Sequence, residues 1–176
     1  MAASNKWLMS SLAYYLDFFT APLFVLGALL IGPVLPWQLV GGLLLWSFIE
    51  YGVHRFLFHS LYRREHWTHH LDVLAFIGIS SWKTSAVYAL LLPLCAYLGL
   101  ASLYAGLVAG YFLYISLHYV MHRPGHWFYR FIPGLVFNHD LHHRKGIEKN
   151  FGVSSPLWDH VFGTYVRVAE KETAAG

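Results

Sequence analysis

Ten of the twelve histidines in this 176-residue chain fall into four short clusters. They are His54 and His59 in HRFLFH, His66, His69 and His70 in HWTHH, His118 and His122 in HYVMH, and His139, His142 and His143 in HDLHH. Positions i, i+3 and i+4 of a helix share a face, so HWTHH and HDLHH each aim three imidazoles toward one point, and HYVMH aims two. The five-residue spacing of the first cluster turns through about 140° on an α-helix, so its two imidazoles could reach different metals. Neutral imidazole suits iron, copper, nickel and zinc, and ten are enough to hold two ions at four to five nitrogens each. A structural zinc site would use four ligands with cysteine prominent, so the pattern points to a dinuclear centre instead. His126 and His160 stand outside the clusters and read as surface residues or as partners of the ligands.

Metal-bound imidazoles commonly donate their second N–H to a carboxylate or carbonyl. Glu50, one turn before His54, Asp140 inside HDLHH and Asp159 in WDHVFG are the acids placed in sequence to accept one. Asn138 and Asn150 are weaker candidates, because asparagine in loops usually serves turns. Trp158 reads as packing, and Tyr51, Tyr114 and Tyr119 as lining of a substrate groove or as helix-packing and lipid-facing residues.

The elements that position these groups are apolar. At 57% hydrophobic and 12% charged residues the chain lies outside the range of soluble domains, and a membrane protein is expected. The charge of +3 is too small to argue for nucleic acid, and the single Cys95 can form no intrachain disulfide. No removable signal peptide is read in the first residues. The stretch around Trp7, Leu8, Leu12 and Tyr15 fits either an interfacial amphipathic helix or a frayed end.

Sustained apolar runs cover Phe18 to Leu35 and Trp37 to Phe58, separated by the turn residues of IGPVLPW. From Ser85 to Leu117 no charge occurs. A straight helix of that length would run roughly 50 Å against a hydrocarbon core of about 30 Å, so it should fold back near Gly99 to Gly106. The expected fold is therefore an all-α integral membrane protein, one domain over residues 1–176. Four transmembrane helices form two hairpins beneath a helical, histidine-rich cap. That topology puts all twelve lysines and arginines on the histidine side, which the positive-inside rule makes cytoplasmic.

The segments WSFIEYGVHRFLFH, HWTHH, HYVMH and NHDLHH, followed by NFGVSSPLWDHVFGTY, resemble the fatty acid hydroxylase superfamily of membrane di-metal oxygenases. The likeness runs from Trp46 to Tyr165 and is nearest to the fatty acid 2-hydroxylases. It implies two iron ions and O2 acting on an unactivated C–H bond of a fatty acyl chain, at C2, with the ten clustered histidines as ligands. Zinc in a purified sample would be a substitute, since it lacks the redox chemistry. Carotenoid hydroxylases and sterol desaturases or hydroxylases are related branches. Only SLYRRE separates His59 from His66, a spacing more like the carotenoid enzymes, whereas the H-x3-H of HYVMH resembles the fatty acid 2-hydroxylases.

No haem-binding electron-transfer domain is read in the chain, so electrons are expected from a separate b-type cytochrome, or a ferredoxin and its reductase. The compact form suits a bacterial inner membrane, and a eukaryotic version the endoplasmic reticulum. No dinucleotide fingerprint, P-loop or serine-nucleophile motif appears. A metal transporter would need polar ligands through the membrane depth, whereas these clusters gather at one end. A non-catalytic metal-binding relative is the other alternative.

Overall fold

The computed structural model describes residues 9–76, 78–145 and 148–167, and among them the regular structure is entirely helical. Helix α1 (Ser11–Tyr15) begins at Ser10, whose Oγ accepts the Ala13 N–H at 3.1 Å. It continues through Leu16, itself in helical conformation, into α2 (Asp17–Ile31). Of the N-terminal residues singled out above, Trp7 and Leu8 lie outside the described residues, and Leu12 and Tyr15 belong to this continuous helix.

Gly32 and Pro33 break the chain, and α3 (Pro36–Gly52) starts on a proline, whose missing N–H costs nothing at a helix start. It runs on into a π-helical segment, Val53–Leu61, and then, after a turn at Tyr62, into α4 (Arg63–Leu71), so five of the six residues of SLYRRE are helical. Helices α5 (Ser81–Tyr97) and α6 (Ala101–Met121) form the second hairpin. A 3-10 turn (Trp127–Phe131), α7 (Pro133–Lys145) and α8 (Leu157–Val161) complete the chain.

The central element is α6, packed against both α2 and α3, with α5 against α2 and α6. Ala21, Ala28, Tyr88, Tyr104, Ala105, Val108 and Tyr111 form the core where α2, α5 and α6 meet. The outward faces are apolar: Leu30 is 87% exposed, Leu90 76% and Tyr97 88%. Ser11–Ile31 and Ala101–Met121, each of 21 residues, are long and apolar enough to cross a membrane. Helices α3 and α5 have 17 residues each, the short end of what spans hydrocarbon.

The fold-back expected between Gly99 and Gly106 falls at its early edge, at Leu98–Leu100, where Gly99 takes φ +70°. Gly106 serves α6 instead. A Cβ there would stand 2.1 Å from the Leu39 carbonyl oxygen, and one at Gly42 would stand 2.1 Å from that of Leu103. Each glycine thus lets the backbones of α3 and α6 touch.

The two hairpin turns are tied together. Ser102 Oγ accepts from Leu35 N–H and donates to Pro33 O, both at 3.0 Å, while the Gln38 amide bonds Gly99 O and Leu103 N–H. Both turns therefore lie at one end, and the histidine segments at the other.

At that other end Asp17 is buried among hydroxyls. It accepts from Thr84 Oγ1 at 2.6 Å, Ser85 Oγ at 3.1 Å and the Tyr111 hydroxyl, joining α2, α5 and α6. These partners offset the cost of an acid in an apolar bundle.

Gly106→Ala should destabilise the protein by about 1–3 kcal/mol or more, through overpacking against backbone that cannot retreat. Gly41→Ala, where an added Cβ meets nothing within 4 Å, should be neutral or stabilising. Thermal unfolding in detergent, comparing both variants with the parent, checks the pair.

Candidate metal centre

Burial and backbone periodicity place the imidazoles. In the π-helical segment hydrogen bonds run i to i+5, which stacks residue i+5 over residue i. His54 and His59 therefore share a face, with ring centroids 5.3 Å apart. The α-helical expectation that they diverge toward different metals does not hold, because the winding is different.

Nine of the ten clustered histidines form two nests. One comprises His54, His59, His66 and His142; the other comprises His69, His118, His122, His139 and His143. Within each nest the nitrogens lie within 4.8 Å of one another. HYVMH sends both imidazoles to the second nest, as its i, i+4 spacing implies. HWTHH and HDLHH do not each converge on one point. Residues i+3 and i+4 differ by about 100° in direction, so adjacent histidines do not share a nest. His66 joins the first and His69 the second; His142 joins the first, His139 and His143 the second. His70 belongs to neither: its Nε2 stands 3.0 Å from that of His66, and its ring stacks on His143 at 4.1 Å.

The tautomers follow from the neighbours. His54 Nδ1 donates to Phe151 O and His142 Nδ1 donates to Lys149 O, at 2.5 and 2.8 Å. A carbonyl can only accept, so in the neutral rings Nε2 carries the lone pair. Those nitrogens face others: His54 to His66 at 3.1 Å, His59 to His142 at 3.3 Å, His69 to His118 at 3.2 Å, His122 to His139 at 3.0 Å. Two imidazoles bound about 2.1 Å from one ion would stand about 3.0 Å apart at a right angle and about 3.4 Å at the tetrahedral angle. Both nitrogens of His143 and Nδ1 of His139 are buried without a hydrogen-bond partner among the described residues. This donor set fits first-row transition ions.

Burial also holds the imidazoles neutral. It pushes His59 and His122 down to about 4 and His142 to about 3, with neighbouring imidazoles adding to the shift. His54, His69 and His139 are lowered for the same reason.

The acids do not reach the imidazoles directly; two of them hold the loop that does. Glu50 Oε1 accepts the N–H groups of Val153 and Ser154 at 2.7 and 2.8 Å, and Oε2 accepts the Ser154 hydroxyl. Asp159 accepts the N–H groups of Phe151 and Gly152 at 2.9 and 2.7 Å and the Thr164 hydroxyl at 2.7 Å. The loop clamped between them presents the Phe151 and Lys149 carbonyls to His54 and His142. Asp140 instead pairs with Arg144 on the exposed face of α7.

Asn150, at φ +53°, bonds Val166 through both side-chain polar atoms, while a Cβ on Gly152 would meet Ser155 O at 2.1 Å. Tyr51 is buried: its hydroxyl, donated to by Arg55, lies 3.0 Å from Thr164 Oγ1 in the same network. Tyr114 stacks on His118, and Tyr119 carries the Arg123 guanidinium over its ring. Asn138 is buried in α7, and Trp158 packs on Phe48 and donates to Ser47. His126 accepts from Phe128 N–H, and His160 lies against Tyr165. What the sequence reading missed is mainly backbone: carbonyl acceptors leave no side-chain signal, although N-F-G marks a turn.

Fold and site together define a helical bundle bearing, at one end, two nests of imidazoles that could each hold a metal ion. The Fatty acid hydroxylase family matches over residues 39–164, and the chain belongs to that family. Its relatives include the ceramide very long chain fatty acid hydroxylase SCS7 of Saccharomyces cerevisiae, 32% identical over 71% of this chain and 37% of its own length. The fatty acid 2-hydroxylase of Macaca fascicularis is 31% identical, over 71% of this chain and 38% of its own length. A dihydroceramide fatty acyl 2-hydroxylase of Arabidopsis thaliana is 29% identical, over 75% and 62%. The chain thus spans well under half the length of the first two. The solved structure of full-length scs7p, in which only the hydroxylase domain is visible, superposes with a TM-score of 0.65 at 27% identity, covering 88% of this chain and 67% of that one. The motif likeness to fatty acid 2-hydroxylases agrees with these relatives.

Free histidine titrates near 6.5, so between the lowered values and 6.5 the unfolded chain binds more protons than the folded one. Stability of the metal-free protein should be full above about pH 6.5 and fall as pH drops toward 4. Denaturant titration across that range checks this. Asp159→Ala, or Asp159→Asn if the first fails to fold, should lower metal affinity about 10–100-fold, while Asp140→Ala leaves it unchanged. Metal titration of the purified variants measures both.

Proposed function

We propose that this protein is a membrane-embedded, iron-dependent lipid hydroxylase that inserts one atom of O2 at C2 of a fatty acyl chain. The observation that carries the reading is the pair of nests, four and five imidazoles, built by a chain of the fatty acid hydroxylase family. The names of the relatives, fatty acid 2-hydroxylases and a ceramide hydroxylase, support an acyl substrate. In this reading α2, α3, α5 and α6 all span the bilayer. The histidine end is cytoplasmic, in a bacterial inner membrane or the endoplasmic reticulum.

The reaction balances as R–H + O2 + 2 e− + 2 H+ giving R–OH + H2O. Two iron ions, one per nest, would supply the redox chemistry that activates O2. The chain's own residues hold and orient. Phe151 and Lys149 carbonyls fix the Nδ1 protons of His54 and His142, so that their Nε2 lone pairs stay aimed. Phe151, against His54, His59 and His142, and Tyr114, against His118, exclude water from the two flanks of the site. The acyl chain would approach from the hydrocarbon side, and its seating there would choose the carbon that reacts. Electrons come from a separate carrier, a b-type cytochrome or a ferredoxin with its reductase.

Lipid profiling of a host expressing the parent chain and His142→Ala tests this. The parent should add 2-hydroxy acyl lipids and the variant none. Hydroxylated carotenoids or altered sterols would move the substrate to another branch, and an unchanged lipid profile from iron-loaded protein supplied with donor would contradict the hydroxylase.

A further inference from the structure

The hollows at the histidine end share two residues that no ligand role explains, Arg63 and Trp67. A recess of about 630 Å³ lies along the π-helical segment and α4, lined by Ser60, Arg63, Arg64 and Trp67 among others. A smaller one, about 30 Å³, reaches His59, His66 and His70, with Trp67 and Arg63 again in its wall. Trp67 is 53% exposed, large and apolar, and on α4 it stands beside the exposed Arg63 and Arg64, with Leu71 exposed at the helix's far end.

Its ring is aligned with the site. Trp67 lies three residues before His70, on the same face of α4, and the two rings stack with centroids 5.9 Å apart and planes 12° apart. His70, the histidine left outside both nests, stacks in turn on His143 of the second nest at 4.1 Å and 17°. Its Nε2 stands 3.0 Å from that of His66 in the first. The order Trp67, His70, His143 is thus a file of near-parallel π faces from solvent to one nest, with a side contact to the other. Phe151, which covers the first nest elsewhere, is buried, so it offers no such opening.

We propose that Trp67 is the electron-entry residue of this protein, and that the outward face of α4 is where a one-electron carrier protein docks. The assignment rests on the hydroxylase reading given above. Electron transfer weakens steeply with distance, so a carrier gains most by docking where a conjugated ring in contact with it leads inward. Each encounter oxidises the carrier's centre by one electron, as haem Fe(II) to Fe(III) or an iron–sulfur cluster by one unit. Two encounters supply the two electrons of one hydroxylation. Arg63 and Arg64 are exposed beside the indole, and tryptophan with arginine is the composition of a binding hot spot. Glu65 is half-buried, and the exposed Glu148 across the smaller hollow sets one carboxylate against the two exposed guanidiniums, so the outward charge around the indole is positive on balance. The partner's matching face is accordingly acidic.

The test uses a reduced soluble b-type cytochrome and, separately, a reduced plant-type ferredoxin, following reoxidation by absorbance in stopped flow with the iron-loaded full chain. The parent should oxidise at least one of them. Trp67→Leu should slow that oxidation by about tenfold or more, with Trp67→Phe between. Metal content and reduction by dithionite should match the parent. With metal-free protein, Arg63→Glu with Arg64→Glu should weaken carrier binding by about tenfold and reduce its dependence on salt. Equal reoxidation rates in parent and Trp67→Leu would overturn the proposal, as would a parent that oxidises neither carrier. Carrier oxidation that depends on Trp67 without any lipid product would spare this inference and count against the hydroxylase. Lipid product at the same carrier-limited rate in Trp67→Leu would do the reverse.

Discussion

The constraint on which the structure turns is that a crowd of imidazoles is buried with ring nitrogen facing ring nitrogen. His142 is 0% exposed, His139 3% and His54 5%. Unpaired polar groups in such surroundings cost several kcal/mol in aggregate, and protonating them costs more. The arrangement is stable only if a cation sits where the nitrogens converge, or if the rest of the fold holds the rings against their mutual crowding. The fold is built to do the second so that the first can happen.

That holding is distributed. The loop of residues 149–154 is pinned from one side by Glu50 on α3 and from the other by Asp159 on α8, and it passes the constraint on through two carbonyls. The close approach of α3 and α6 at Gly42 and Gly106 brings the first and third histidine boxes to the same end of the bundle. The hydroxyl cluster around Asp17 fixes the starts of α2 and α5 to α6. Asp17, the acid just before the first apolar run, is in the fold a three-helix junction.

Much of the site is legible in the sequence because imidazole spacing is side-chain chemistry on a known period. HYVMH behaves as i, i+4 on a helix must, and the apolar runs mark the long helices to within a few residues. What escapes the reading escapes for identifiable reasons. The π winding of Val53–Leu61 is set by tertiary context and brings His54 and His59 onto one face. The splitting of HWTHH and HDLHH between nests needs the relative orientation of four elements, which no single segment carries. Glu50 and Asp159 are found as acids near the site, but their action through backbone N–H groups of a loop is not a pattern of side chains. The short SLYRRE connection is two helix ends joined at the single turn residue Tyr62, and α4, which it begins, carries Trp67 and three of the histidines.

The central claim is that the two nests are two metal sites rather than one site with surplus imidazoles. Metal analysis of the detergent-purified full chain, made in iron-supplied cells and quantified against protein by amino-acid analysis, tests it most directly. The account predicts two transition ions per chain, one for each nest. Folded protein that carries one ion or fewer, and takes up no more on titration, would contradict it.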